Sequence, residues 1–127
     1  MYILNLEDNV YKHSDIKTAL KSAGISNLEI DFVRNLEDGL WKIEEQSKAN
    51  KAYDLIITDM WYPKEAGGED EASGELLIAR VREEKLNIPI ILCSSVRYDF
   101  PGIVGTVHYG PNGDWESELV RLVKSVQ

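Results

Sequence analysis

Two strand-length apolar runs in this chain stop on acid. Tyr53-Asp54-Leu55-Ile56-Ile57-Thr58 ends at Asp59, and Pro63 follows four residues later. Tyr2-Ile3-Leu4-Asn5-Leu6 ends at Glu7-Asp8. Runs this short and this apolar suit strands covered on both faces, as in a parallel sheet. If both lie in one such sheet, three carboxylates meet at its C-terminal edge, where open α/β sheets carry their chemistry. Carboxylates held that close need a cation, and a hard, oxygen-seeking ion such as Mg²⁺ is the natural occupant.

The rest of the chain alternates strand and helix. Residues 2–6 read as a strand. Residues 14–23 read as a helix, with Ser14 as N-cap, Ile16, Ala19, Leu20 and Ala23 at helical spacing, and Gly24 as its stop. Leu28 to Phe32 alternates apolar and polar, which suits an edge strand with one wetter face. Asn35 opens a second helix with Asp38 as a partial capping box, and Leu36, Leu40 and Ile43 form its stripe, interrupted by Gly39. Residues 53–58 form the third strand. Residues 64–73 read as a mobile acidic loop. Residues 75–85 form a helix facing inward through Leu77, Ile78 and Val81. Ile88 to Cys93 is a buried strand with Pro89 near its start, where a missing N–H is tolerated. Residues 96–102 carry no helical pattern. Ile103 to Tyr109 is the last strand, broken by Gly105. Asp114 caps a final helix with Leu119, Leu122, Val123 and Val126 at i, i+3, i+4 and i+7. This alternation implies a parallel sheet with helices on both faces.

The length, 127 residues, suits one domain, residues 1–127. No apolar run approaches the roughly 18–20 residues a membrane span needs. The N-terminus turns acidic at once, unlike a signal peptide. The single cysteine, Cys93, excludes an internal disulfide and fits a reducing compartment. The expected location is therefore cytoplasmic. A net charge of −8 argues against a nucleic-acid partner, and no membrane partner is expected.

With these residues in view, the chain resembles a response-regulator receiver domain, the phosphoacceptor module of two-component signalling. The resemblance spans essentially the whole chain and is weakest from 96 to 112. It rests on Glu7-Asp8 after the first strand, on Asp59 in Leu55-Ile56-Ile57-Thr58-Asp59-Met60-Trp61-Tyr62-Pro63, and on Ser94 after Ile88-Pro89-Ile90-Ile91-Leu92-Cys93. It implies a flavodoxin-like, doubly wound five-stranded parallel sheet in the order 2-1-3-4-5. It further implies that Asp59 takes a phosphoryl group from a histidine kinase or phosphotransfer protein. Glu7, Asp8, Asp59 and the backbone carbonyl of Trp61 would hold Mg²⁺. Ser94 would sense the acyl phosphate. Phosphoryl transfer is mostly positioning and charge stabilisation, which fits this set of groups. Output would pass to a downstream protein effector from a stand-alone module with at most weak self-dephosphorylation.

Each residue alone has a plainer reading. Glu7-Asp8 can cap a turn, Asp59 can form an Asx turn, and Ser94 can be a core hydroxyl. Asp54 reads as structural, Cys93 as a small buried apolar residue, and His13 as a solvated residue at a helix start. The three tryptophans, Trp41, Trp61 and Trp115, read as core or interface.

The chain also departs from the receiver pattern. Receivers end the fifth strand with Lys-Pro, and the matching pair here is Gly110-Pro111. Arg97, His108 and Lys64 are the cations considered as substitutes. The stretch from Ser94 to Pro111 is short and lacks a helical stripe, so the fourth helix is reduced or replaced by a loop. The acidic insertion after Pro63 lies beside the proposed pocket. The missing lysine and the altered fourth-helix region motivate an alternative, a pseudo-receiver that binds a partner independently of phosphate. A third reading, another Mg²⁺-dependent α/β phosphotransferase or phosphatase, fails on motif. Haloacid-dehalogenase-type enzymes carry DxD after the first strand and Toprim domains carry it later. Here Asp59 precedes Met60-Trp61, and Glu7-Asp8 precedes Asn9-Val10.

Overall fold

The structure, a computed structural model, describes residues 1–127. Its elements run β1 (Tyr2–Leu6), α1 (Val10–Ser22), β2 (Glu29–Val33), α2 (Leu36–Lys48), β3 (Leu55–Thr58), β4 (Tyr62–Pro63), β5 (Asp70–Glu71), α3 (Ser73–Glu83), β6 (Ile90–Ser94), β7 (Gly105–His108) and α4 (Trp115–Ser125). Five strands form one parallel sheet in the order β2-β1-β3-β6-β7. Numbered among sheet strands alone, that is the expected order 2-1-3-4-5.

Strand alternation sorts the core into two layers. Leu4, Leu6, Ile56 and Ile90 face α2 and α3, meeting Leu36, Ile43, Leu77, Ile78 and Val81. Ile3, Leu55, Ile57, Ile91 and Cys93 face α1 and α4, meeting Ile16, Leu20, Leu119, Leu122 and Val123. Both faces of β1, β3 and β6 are thus covered, which is why those runs are mostly apolar. Asp54 is structural as expected: its carboxylate accepts from the Tyr2 amide at 2.7 Å, and its own amide donates to the Tyr2 carbonyl.

Three expectations need correction. Helix α1 begins a turn earlier than Ser14, because Asn9 caps it, its side chain accepting from the Tyr11 and Lys12 amides. Residues 64–73 do not stay a bare loop. They belong to a short antiparallel hairpin, β4 pairing with β5, anchored by Tyr62, which is fully buried. His13 is not simply solvated. Its ring stacks on Phe32 at 4.0 Å, and its Nδ1 lies 2.8 Å from Asn5 Oδ1. That oxygen only accepts, so Nδ1 carries the proton.

No helix lies between β6 and β7, as the sequence implies. Phe100 and Ile103 of that segment pack against the core in its place. Arg82 of α3 donates to the Pro101 carbonyl and ties the segment down. No helix is long and apolar enough to cross a membrane.

Candidate functional site

Strand register builds the site. Leu6 pairs with Thr58, so Glu7 and Asp59 both emerge one residue past a matched pair of strand ends. The Asp59 amide donates to the Leu6 carbonyl at 2.9 Å, and the Glu7 amide donates to Val33 across the other edge of β1. Asp59 Oδ1 accepts from the Met60 amide at 2.8 Å, which turns the carboxylate back over the strand end. Gly74 makes room for this turn. A Cβ there would lie 2.2 Å from the Asp59 carbonyl oxygen.

Glu7, Asp8 and Asp59 each present a carboxylate oxygen within 4.8 Å of the others. Glu7 is 1 % exposed. Its Oε1 accepts from the Asn9 amide, while Oε2 faces the Lys12 ammonium at 2.7 Å. Burial pushes the Glu7 carboxyl up to about 7, with Lys12 opposing and Asp59 adding to the rise. Burial also raises Asp8, and Asp70 of β5 and Asp59 add to it. Asp70 therefore brings a fourth carboxylate to the rim, from the insertion expected to lie beside the pocket. Beyond Asp8, an open groove of about 770 Å³ runs past Arg34 to Trp41 and the hairpin.

These residues fit a hard divalent ion. Octahedral Mg²⁺ with ligands at about 2.1 Å spaces its oxygens roughly 3–4 Å apart, within the 4.8 Å that bounds the three carboxylate oxygens here. Glu7 Oε2, buried with the Lys12 ammonium beside it at 2.7 Å, is a carboxylate oxygen that a metal can share. Bound there, Mg²⁺ would neutralise carboxylate charge and polarise a phosphoryl group. The Trp61 carbonyl sits just past Asp59 and accepts none of the backbone hydrogen bonds of the loops. Its indole is on the surface, donating to the Tyr98 hydroxyl at 2.7 Å.

Ser94 ends β6, 2 % exposed. Its Oγ accepts a long hydrogen bond, 3.4 Å, from the Val96 amide. The strand pair Thr58–Leu92 sets it one strand over from Asp59 at the same edge. Cys93 behaves as the small buried residue expected, with burial pushing its thiol up to about 12.

None of the three cations considered as substitutes reaches the carboxylates. Arg97 pairs with Glu118 at 3.4 Å, and Lys64 with Glu71 at 3.7 Å. His108 Nε2 sits 2.9 Å from the Ser95 carbonyl. Instead a lysine from α1 fills the cluster. Lys12 Nζ lies 2.7 Å from Glu7 Oε2, 3.3 Å from Asp59 Oδ1 and 2.6 Å from the Cys93 carbonyl oxygen. Burial alone would lower the Lys12 pKa, but Glu7 and Asp59 outweigh it and hold the ammonium charged. The sequence held a signal for it. Lys12, Ile16 and Leu20, the buried residues of α1, stand at i, i+4 and i+8.

The comparisons agree with this geometry at the level of fold. No protein-family model and no curated protein matches the chain. Solved structures do. The phosphorylated cyanobacterial phytochrome response regulator RcpA is 20 % identical with a TM-score of 0.69, over 98 % of this chain and 89 % of that one. A LuxR-family DNA-binding response regulator from Staphylococcus aureus is also 20 % identical, TM-score 0.69, over 98 % and 97 %. The Mn²⁺-bound response regulator Rcp1 is 15 % identical, TM-score 0.66, over 95 % and 90 %. The fold is therefore the CheY-like receiver fold of response regulators.

Proposed function

We propose that this chain is a phosphoacceptor, a single receiver unit that takes a phosphoryl group on Asp59 and signals through protein contact. The observation that carries the reading is the convergence of Glu7, Asp8 and Asp59 at one strand edge. Glu7, Asp8, Asp59 and the Trp61 carbonyl hold Mg²⁺, and Ser94 reads the new phosphoryl oxygens. The Asp59 carboxylate attacks phosphorus, a new P–O bond forms, and the donor's bond to phosphorus breaks with its electron pair. A histidine kinase or phosphotransfer protein is the donor, in the cytoplasm, and a protein effector receives the output. The net charge of −8 favours a protein over a nucleic-acid effector.

The test is direct. Incubate the protein with Mg²⁺ and acetyl phosphate and weigh it intact. One phosphoryl adduct is expected, lost in Asp59→Asn. No adduct, or one that survives that substitution, rejects the reading.

The missing helix between β6 and β7, together with Gly110 in place of a lysine, favours a second reading, a binding module indifferent to phosphate. It requires Asp59→Asn to leave partner binding unchanged.

A further inference from the structure

One charged group at the site has no part in the phosphoacceptor scheme. Lys12 is 5 % exposed, yet it sits within reach of the proposed nucleophile. A phosphoryl group joining Asp59 brings negative charge beside Glu7 and Asp8, so a cation facing it matters. The end of the last sheet strand supplies none. Position 110 is glycine, and its Cβ direction opens on empty space. What that strand end supplies is an aromatic wall. The Tyr109 ring lies 5.3 Å from Lys12 Nζ, its hydroxyl donates to Asp15 at 2.7 Å, and its other neighbour is Trp115 at 4.9 Å. Tyr109 is thus held between α1 and α4, beside the Lys12 ammonium.

We propose that Lys12 is the phosphoryl-binding cation of this site, delivered from the first turn of α1 instead of from the end of the last sheet strand. The inference rests on the phosphoacceptor reading. Three details support a role beyond neutralising Glu7. An ammonium has three protons to donate. One goes to the Cys93 carbonyl at 2.6 Å, a fixed acceptor that anchors Nζ. A second faces Glu7 Oε2 at 2.7 Å, which leaves the third able to turn to a new oxygen. And Nζ already stands 3.3 Å from Asp59 Oδ1. During transfer Lys12 keeps all its protons. It donates a hydrogen bond to a phosphoryl oxygen while the bond from Asp59 to phosphorus forms and the donor's bond to phosphorus breaks, its electron pair leaving with the donor.

The experiment compares wild type with Lys12→Met. Labelling by acetyl phosphate is followed by intact mass, Mg²⁺ affinity by calorimetry, and folding by circular dichroism. Loss of one charge-assisted contact to the transferring group should slow labelling about 10- to 100-fold. Mg²⁺ affinity should hold or tighten, because Glu7 Oε2 is released. Labelling within twofold of wild type overturns the proposal while leaving the phosphoacceptor reading intact. Labelling and Mg²⁺ affinity falling in parallel also overturns it, since Lys12 would then act only by arranging carboxylates. Wild type that takes no label removes both readings. A second measurement needs no variant. In Mg²⁺-loaded wild type, the ¹⁵N resonance of Lys12 Nζ should move on adding beryllofluoride. An unmoved resonance overturns the proposal even if Lys12→Met fails to fold.

Discussion

At Gly39 and Gly74 a missing side chain admits a close neighbour, but the neighbours differ. A Cβ at Gly39 would lie 2.4 Å from Leu6 Cδ2, the tip of a side chain. Leu6 can rotate at a packing cost of about 1–3 kcal/mol, and alanine in mid-helix returns about 1 kcal/mol. Gly39→Ala should therefore destabilise by no more than about 2 kcal/mol. At Gly74 the obstruction is backbone, the Asp59 carbonyl oxygen at 2.2 Å and Met60 Cα at 2.9 Å. No rotamer relieves it, so either α3 or the Asp59 loop must move. Gly74→Ala should cost about 3 kcal/mol or more. Urea unfolding of the two variants checks this, and equal midpoints would contradict it. Gly39, which interrupts the helical stripe as read from sequence, is thus explained by the approach of α2 to β1. The signal at Lys12 was masked for a related local reason, the placing of the helix cap. With Ser14 taken as the cap, position 12 falls outside the helix and its side chain has no direction. With Asn9 as the cap, Lys12 heads the buried stripe.

At the scale of elements, three helices end in the same way. After α1, the Gly24 amide bonds the Lys21 carbonyl and the Ile25 amide bonds Leu20. After α2 and α3, Asn50 and Lys85 take the position of Gly24, with the same bond pair. These are Schellman closures, which need a left-handed residue. Gly24 takes φ 73° freely, while Asn50 at 61° and Lys85 at 52° carry side chains there. Asparagine tolerates this region and lysine does so poorly. Lys85→Gly should therefore stabilise by about 0.5–1 kcal/mol, and Asn50→Gly should change little. Thermal unfolding of the pair decides it, and a Lys85→Gly variant that melts no later than wild type would refute the strain argument. The five sheet strands were legible because the three central ones are compact apolar runs and the edge strand β2 alternates apolar with polar. The β4–β5 hairpin was not, because strands of two residues show no periodicity. The helix-free segment between β6 and β7 was legible from Pro101, Gly102 and its missing stripe. What the sequence could not show is that Phe100 and Ile103 fill the core there.

For the whole molecule, the convergence of Glu7, Asp8 and Asp59 was readable because two apolar runs end on acid, and parallel register does the rest. The field around them was only half readable. The chain carries 22 acidic and 14 basic residues, and folding brings Asp70 to the same rim. A small anionic donor must approach that rim against the net field, whereas Mg²⁺ is drawn to it. The Debye length shrinks from about 30 Å at 0.01 M salt to about 10 Å at 0.1 M. Across that range Mg²⁺ affinity should fall severalfold. Labelling by acetyl phosphate, measured with Mg²⁺ kept saturating at both ionic strengths, should instead accelerate. Calorimetry and timed intact-mass spectra give the two slopes. Opposite signs are the expected result. Labelling that slows with salt under saturating Mg²⁺ would mean that the nearby cations, Lys12 foremost, govern the donor's approach, and that the surplus of acid elsewhere on the surface does not reach the pocket.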